Sequence, residues 1–469
     1  MSAGYSFSCQ YDGPTGERVV TYETTAGCEG AGRTGREPGR GPRTALPQRS
    51  VLISGASVAG PALAHWLGRY GFRPTVIEVA PALRRGGFAV DFRGATQLTV
   101  LERMGVLEEI RDHSTGGGDP LTFIDGRGRP LAAMPPEFAG GEVEILRSDL
   151  SRILYRHSLA PLGADHTPGP PPADACPPEY LFGDSIASLA ETADGVQVTF
   201  ERGAPRTFDL VVGADGLHST VRRLAFGPER DFVRHLGYYI AAWDLPEAAG
   251  DLAARPVGYG EPGRLATVGR TSRRAAEPGY AGEAFCVFAS EEERGHDRRD
   301  LRARKQAIAR AYDGAGWRIP ELMATLGQAG DVYFDSISRA DVPSWSTGRI
   351  ALLGDAAHGA TVGGMGTGSA IIGAYVLAGE LALAEGDHRT AFARYERKLR
   401  PYVTRCQQGG RGAGEFLAPA TQEAIDARNA ALNSPAAVAA MLRQGHDISA
   451  ALALEDYPAQ VRAAVCARW

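Results

Sequence analysis

Residues 51–60 read Val-Leu-Ile-Ser-Gly-Ala-Ser-Val-Ala-Gly, and they indicate the fold class more clearly than any other segment. The apolar run is followed by a loop of small residues and then by a helical pattern over about Pro61 to Tyr70, which Gly71 ends. A second strand over Pro74 to Ile77 ends at Glu78. This order predicts a strand, a helix and a second, parallel strand, which is the opening unit of an α/β fold.

The loop between the first strand and the helix has the residue types of a phosphate-binding turn. Gly55 permits the tight turn, and Gly60 lets the helix pack close to the strand. Ser57 stands where the usual Gly-x-Gly-x-x-Gly pattern has its middle glycine. Glu78 follows Gly55 by 23 residues, near the spacing of a carboxylate that holds a ribose hydroxyl. The alternative is an ordinary turn with a chance acidic residue.

A second motif reads Asp-Leu-Val-Val-Gly-Ala-Asp-Gly over residues 209–216. An apolar strand stops abruptly there. Asp215 would accept hydrogen bonds at the strand end, and Gly216 would let backbone pass close to a ligand. An ordinary turn after a strand explains the motif equally well when it is taken alone.

A third motif reads Arg-Ile-Ala-Leu-Leu-Gly-Asp-Ala-Ala-His over residues 349–358. Asp355 would bind a polyol at the carboxyl end of the sheet, where ligands of open α/β sheets bind. Gly366 precedes a long apolar helix whose N-terminus carries partial positive charge. We interpret His358 as a packing or capping residue, with a catalytic base as the alternative.

Composition excludes several classes of protein. The chain has 469 residues, of which 43% are hydrophobic and 22% charged, as in soluble globular proteins. A net charge of -5 argues against a nucleic-acid binder. The six cysteines are widely spaced, so neither a disulfide framework nor a metal site is expected. We find no secretory signal and no apolar run of about 18 residues, which predicts a cytoplasmic protein without a membrane helix.

The three motifs, in this order and spacing, resemble the FAD-dependent class A aromatic hydroxylases, which are the para-hydroxybenzoate-hydroxylase-like flavoprotein monooxygenases. The resemblance extends from about Val51 to Tyr402. Within that family the chain looks most like the tetracycline-modifying monooxygenases and the hydroxylases that tailor aromatic polyketides. The residues that carry this closer likeness are 86–91, 146–150, 263–265 and 374–381.

The resemblance implies an enzyme that uses FAD, NADPH (or NADH) and O2. Such enzymes hydroxylate a small aromatic or polycyclic substrate, similar to a polyketide or a tetracycline, through a C4a-hydroperoxyflavin. Roles in antibiotic biosynthesis and in drug inactivation both stay open. A monomer or a homodimer is implied, with no metal, nucleic acid or membrane as partner.

The resemblance also implies which residues bind the cofactor and the substrate. The cofactor residues are Gly55, Ser57 and Gly60 at the pyrophosphate, Glu78 at the adenosine ribose, Arg147 from the third helix, Asp91 beside the flavin, Asp355 at the ribityl chain, Gly366 at the helix beside the ring, and Asp215 and Gly216 for both FAD and NADPH. The substrate residues are Arg264, Tyr239 and Trp243. A surface arginine is the alternative for the first, and an ordinary sheet core for the other two.

The predicted fold is α/β: a Rossmann-like FAD-binding domain, a strand-rich substrate domain and a C-terminal helical region. We expect residues 1–49 to be a disordered or artefactual extension. The FAD-binding domain would comprise residues 50–223 with 341–400, interrupted by a loop insert at 161–178. Residues 224–340 would bind substrate, and residues 401–469 would be helical.

One departure from the family leaves alternatives open. Relatives carry a proline shortly before the glycine turn beside the flavin, and residues 358–366 contain none. An NAD(P)H oxidase uncoupled from hydroxylation, or an inactive flavin-binding homologue, is therefore the alternative function. A flavin halogenase is disfavoured because no lysine precedes Lys305, and a nicotinamide dehydrogenase because of the distant motif at Asp355.

Overall fold

The computed structural model describes residues 49–83, 89–115, 119–160, 177–270, 274, 279–290, 300–359 and 365–466. The chain divides into the units Met1–Ala45 and Leu46–Trp469, and all described residues belong to the second. The predicted extension at 1–49 and the insert at 161–178 therefore lie almost wholly outside the described residues. Residues 360–364, in the turn without proline, lie outside them as well.

Strands and helices alternate through the first half of the chain, and helices dominate the last hundred residues. The strands are β1 Ser50–Ser54, β2 Arg73–Glu78, β3 Ala89–Phe92, β4 Leu121–Ile124, β5 Pro130–Met134, β6 Val143–Leu146, β7 Glu179–Phe182, β8 Ile186–Glu191, β9 Val196–Phe200, β10 Arg206–Phe208, β11 Leu210–Gly213, β12 Val233–Pro246, β13 Val257–Glu261, β14 Arg264–Gly269, β15 Tyr280–Ala289, β16 Tyr333–Ala340, β17 Ser346–Thr347 and β18 Ile350–Leu352. The helices are α1 Ala59–Arg69, α2 Gly94–Met104, α3 Leu107–Asp112, α4 Pro136–Gly140, α5 Arg147–Leu159, α6 Thr220–Ala225, α7 Leu301–Ala311, α8 Ile319–Gln328, α9 Asp355–His358, α10 Gly366–Leu383, α11 His388–Leu417, α12 Gln422–Leu432, α13 Pro435–Ser449 and α14 Tyr457–Cys466.

The first sheet has six strands in the order β17-β18-β11-β1-β2-β7. Every neighbouring pair is parallel except β17 with β18. Val51, Leu52 and Ile53 of β1 have no exposed surface, which is typical of a parallel strand covered on both faces. Because the strands are parallel, the segments after β1, β2, β11 and β18 leave the same edge of the sheet. The predicted α/β opening is confirmed.

The second sheet has seven strands in the order β16-β12-β15-β14-β13-β4-β5. The long strand β12 pairs with β15 on one side and with β16 on the other. The sequence assigned β4 and β5 to the FAD-binding segment, but β4 pairs in parallel with β13 and extends this sheet. Successive residues of a strand point to opposite faces, so the two faces of the sheet have different neighbours.

One face of the seven-stranded sheet, which we call the α7–α8 face, packs against helices α7 and α8. Tyr239 and Trp243 of β12 lie in one apolar cluster there with Tyr312, Ile319 and Leu322. The other side, which we call the opposite face, carries the alternate residues. Its members include Tyr238, Ile240, Ala242 and Asp244 of β12, and Glu283, Phe285 and Val287 of β15.

Helix α10 lies in the core of the larger unit, and all its residues from Gly368 to Leu381 are buried. Contrary to the sequence expectation, this helix is long and apolar enough to cross a membrane by length and composition. It is 78% buried inside the protein, as a core helix is. Helix α11 runs from His388 through Pro401 to Leu417 and so crosses the predicted boundary at residue 400.

Candidate cofactor-binding site

The loop after β1 lies tightly against the end of the neighbouring strand β11. Gly55 has φ of 105°, and a Cβ there would lie 2.5 Å from the carbonyl oxygen of Ala214. A Cβ on Gly60 would lie 1.9 Å from the carbonyl oxygen of Gly55. Neither position has room for a side chain. The loop therefore brings backbone close to the sheet edge at the N-terminus of α1, where N–H groups can meet a phosphate.

Glu78 ends β2, and its carboxylate holds the same loop. Oε2 accepts the backbone N–H of Ala56 at 2.9 Å, and Oε1 accepts the N–H of Ala80 at 3.0 Å. The side chain is half-buried, and a carboxylate has about four lone-pair sites, so two of them stay available. Such a group can still accept hydrogen bonds from the hydroxyls of a ribose.

Two residues from distant parts of the chain lie near this loop. Arg147 begins α5, and its Nη2 donates to Ser57 Oγ at 3.3 Å. Asp355 follows Gly354, whose φ is 63°, at the end of β18. Burial raises the pKa of the Asp355 carboxyl, and the positive charge of Arg147 opposes that rise. The sheet edge thus carries an arginine and an aspartate that can contact a phosphate and a polyol.

Asp215 lies at the end of β11, and donors from its own surroundings already occupy its carboxylate. Oδ2 accepts from Ser54 Oγ at 3.2 Å and from the backbone N–H of Val221 at 3.1 Å, and Oδ1 accepts from Ser219 Oγ. Burial raises the pKa of Asp215, while these hydrogen bonds oppose the rise. The next residue, Gly216, has φ of 80°. The geometry makes Asp215 a residue that shapes the strand end.

Asp91 and Gly366 lie on two further segments. Asp91 sits on β3, opposite Glu144 of β6, and its carboxylate forms an ion pair with Arg93. Gly366 begins α10 directly after Met365, which has φ of 51°. No described contact joins either residue to the glycine loop at Gly55.

His358 is buried at the end of α9. Its ring centroid lies 4.7 Å from that of Trp345, and burial lowers the His358 pKa to about 3. Nε2 has no hydrogen-bond partner among the residues that the structure describes. A neutral, enclosed imidazole is a weak base, so these contacts favour the packing interpretation.

The three predicted substrate residues all have protein partners. Tyr239 stacks on Phe334, with ring centroids 5.2 Å apart, and Trp243 Nε1 donates to Thr325 Oγ1 at 2.9 Å. Both belong to the α7–α8 face, so the contacts favour the sheet-core alternative. The guanidinium of Arg264 donates to the Glu261 carboxylate, and to the carbonyl oxygens of Ala311 at 3.1 Å and Asp313 at 3.0 Å. These bonds fasten β14 to the end of α7.

The predicted residues at the edge of the first sheet form a site that suits FAD. Strands β1, β2, β11 and β18 deliver Gly55, Glu78, Asp215 and Asp355 to one edge of the sheet. The two glycine positions form a cradle that any Cβ would fill, and Arg147 supplies a positive charge beside it. These groups match the pyrophosphate, the ribose and the ribityl hydroxyls of the cofactor.

Comparison with known proteins agrees with this geometry. The FAD binding domain family matches residues 172–409. An uncharacterised protein of Mycobacterium tuberculosis (strain ATCC 25618 / H37Rv) is 39% identical over 366 residues, which cover 76% of this chain and 92% of that protein. A flavin-dependent monooxygenase from an unknown prokaryotic organism is 34% identical over 390 residues, which cover 81% of this chain and 94% of that protein. The chain belongs to the FAD-dependent aromatic-hydroxylase-like monooxygenases.

Two solved structures of tetracycline destructases have folds similar to that of this monooxygenase. Tetracycline destructase Tet(55) is 31% identical, with a TM-score of 0.72 over 88% of this chain and all (100%) of that protein. Tetracycline destructase Tet(51) is 28% identical, with a TM-score of 0.70 over 87% of this chain and 99% of that protein. The fold therefore extends over nearly the whole described part of the monooxygenase.

Sequence reasoning missed the role of Arg222 in this monooxygenase. Its side chain has no exposed surface, and Nη1 donates to the carbonyl oxygen of Ala356 at 2.9 Å. A second nitrogen donates to the carbonyl oxygen of Leu217. Arg222 thereby ties the turn after β11 to the turn that carries Asp355. The sequence signal for this role was the position of Arg222 three residues after Ser219, which is the N-cap residue of α6.

Proposed function

We propose that this monooxygenase uses NAD(P)H and O2 to hydroxylate an aromatic or polycyclic substrate. One oxygen atom would enter a ring carbon of the substrate, and the other would leave as water. Bound FAD would supply the activation of O2 after it has been reduced. The observation that carries the proposal is the aromatic character of the opposite face of the seven-stranded sheet. Phe285 and Tyr333 are half-buried there, beside Tyr238, which packs against Gly414 of α11.

The likeness to the tetracycline destructases supports a polycyclic substrate. Their names state the compound on which they act, and their sequence identities to this chain are 31% and 28%. A flat polycycle matches an aromatic sheet face, because ring stacking adds to the burial of apolar area. We therefore assign the substrate to the opposite face and leave Tyr239 and Trp243 in the core.

We propose the following cofactor contacts for the residues at the sheet edge and near it. Gly55, Ser57 and Gly60 would cradle the pyrophosphate, and Glu78 would hold the adenosine ribose. The other predicted contacts are Arg147 and Asp355 at the phosphate and ribityl chain, Asp91 and Gly366 beside the ring, and Asp215 and Gly216 along the path shared by FAD and NADPH. In domain terms, residues 50–223 with 341–400 would bind FAD, and residues 224–340 would bind substrate with the help of β4 and β5.

The first experiment is the visible absorption spectrum of the purified protein. An oxidised-flavin spectrum, with FAD released on denaturation, is expected. The holoenzyme is then given NADPH and a panel that includes tetracycline and simple phenols. We expect one class of compound to accelerate NADPH oxidation and to gain one oxygen atom from labelled O2. A colourless protein that also fails to bind added FAD would contradict the proposal.

The same assay separates the alternative function. An NAD(P)H oxidase uncoupled from hydroxylation would consume NADPH and O2 and release hydrogen peroxide, with no oxygenated product. The ratio of product formed to NADPH consumed therefore distinguishes the two functions. We expect a ratio well above zero for the accelerating compound.

A further inference from the structure

A single carboxylate interrupts the apolar strand β15 on the opposite face of the sheet. Residues 280–289 read Tyr-Ala-Gly-Glu-Ala-Phe-Cys-Val-Phe-Ala, and Glu283 is the one charged residue among them. It shares its face with Phe285 and Val287, whereas Ala284 and Cys286 belong to the α7–α8 face. Glu283 therefore lies on the aromatic side to which we assign the substrate.

Among the described residues, the charged neighbours of Glu283 do not pair with its carboxylate. Asp244 of β12 lies directly across the ladder from Glu283. Arg274 donates to both carboxylate oxygens of Asp244, at 2.8 Å each, and its guanidinium also lies over the ring of Tyr280 at 4.1 Å. No described residue makes a hydrogen bond or an ion pair with Glu283. Within the described part of the chain, the cation that acts on Glu283 is thus committed to the neighbouring acid.

A third acid, Glu144, also acts on Glu283 electrostatically. Burial raises the pKa of Glu283 to about 7, the charges of Asp244 and Glu144 add to the rise, and Arg274 opposes it. Glu144 lies on β6, directly opposite Asp91 of β3. The side chain of Glu283 is nevertheless only half-buried, so a ligand can reach it. The half-buried carboxylate of Glu283 is therefore surrounded by the negative charges of Asp244 and Glu144.

We propose that Glu283 is the general base that accepts the proton of a ring hydroxyl, so that the substrate is a phenol. This inference rests on the proposed function. The O–H bond of the phenol breaks, its proton goes to a carboxylate oxygen of Glu283, and the electron pair stays on the substrate oxygen. The resulting phenolate is richer in electrons at the ring carbons ortho and para to that oxygen, where hydroxylation takes place.

Two properties of the site support a base rather than a packing residue. Like charges directly opposite each other destabilise a sheet, so the pair of Glu283 and Asp244 costs stability in the free protein. A hydroxyl donor on a ligand would relieve that cost. A general base works best when its pKa lies near the operating pH, and burial, together with the acids around Glu283, raises its pKa to about 7.

The test uses the FAD-loaded enzyme and matched ligands: phenol, a naphthol and an anthracenol, each beside its methyl ether. We expect the hydroxyl compounds to accelerate NADPH oxidation and be oxygenated, and the ethers to do neither. Glu283→Gln should lower kcat/KM for the phenol by about 10²-fold or more. It should also abolish the rise of kcat/KM with pH near pH 7. Glu247→Gln removes an exposed carboxylate from the segment after β12 and should leave both unchanged.

A second variant separates a base from a structural residue. Asp244→Asn removes the opposing charge and frees Arg274, so the rise of kcat/KM should move to lower pH. Ethers oxygenated as readily as phenols, or an unchanged pH profile in Glu283→Gln, would overturn the base and leave the monooxygenase intact. A protein that binds FAD but oxygenates none of the compounds would overturn both.

Discussion

The substitution Gly60→Ala tests the cofactor cradle most directly. The added methyl group would lie 1.9 Å from the carbonyl oxygen of Gly55, whereas such contacts are essentially never shorter than 3.0 Å. The helix α1 and the loop must therefore separate by about an ångström. Overpacking of this kind costs about 1–3 kcal/mol. If that cost falls on the loop conformation that binds FAD, the Kd for FAD rises about 5- to 150-fold.

The measurement is a titration of the apoprotein with FAD, followed by the quenching of flavin fluorescence. Gly68→Ala supplies a matched control on the same helix, because a Cβ there meets nothing within 4 Å. That variant should bind FAD as the unmodified chain does, and its apoprotein should be more stable by about 0.5–1 kcal/mol. An unchanged Kd in Gly60→Ala, or an equal loss of affinity in Gly68→Ala, would refute the reasoning.

Three further predictions concern other parts of the molecule. Glu78→Ala removes the acceptor of the Ala56 N–H, so the Kd for FAD should rise by roughly tenfold, which corresponds to a loss of about 1.4 kcal/mol. An unchanged FAD titration would argue against a contact between Glu78 and the ribose. Gly379→Ala would place a methyl group 2.2 Å from Cγ of Tyr457, so the midpoint of thermal unfolding should fall by several degrees, with α14 exchanging amide hydrogens faster. Folding raises the pKa of Glu283 from 4.5 to about 7, so its destabilising effect is absent below pH 4 and complete above pH 7. Glu283→Gln should therefore raise the free energy of unfolding by up to about 3 kcal/mol at pH 8 and by almost nothing at pH 4, as measured by denaturant unfolding at each pH.

The cofactor edge could be predicted because its information is local. A short apolar strand, a glycine turn and an acidic residue at the end of the next strand identify Gly55 and Glu78 without any knowledge of the rest of the chain. The parallel order then brings Asp215 and Asp355 to the same edge, since all these strands end there. Arg147 lies at the start of α5, and only the family resemblance implied that it would lie near this edge.

The strand pairing of the second sheet could not be predicted in the same way, because pairing between distant segments leaves no local sequence pattern. Strand β4 joins β13 across more than a hundred residues of sequence, and nothing in residues 121–134 indicates that partner. The alternation in β12 shows that Tyr238 and Tyr239 point to opposite faces. It does not show which face α7 and α8 cover, so the sequence alone could not show that Tyr239 packs in the cluster with these helices.

The two faces of this sheet differ in how their polar side chains are paired. On the α7–α8 face every polar atom of Tyr312 and Trp243 has a partner inside the protein, and these side chains fix the strands. On the opposite face, Glu283 has none among the described residues, although it sits in a strand that is otherwise apolar. A protein that retains an unpaired acid beside Asp244 gives up stability there. We propose that Glu283 is kept there as a proton acceptor, and that the packing of the α7–α8 face holds its strand in place.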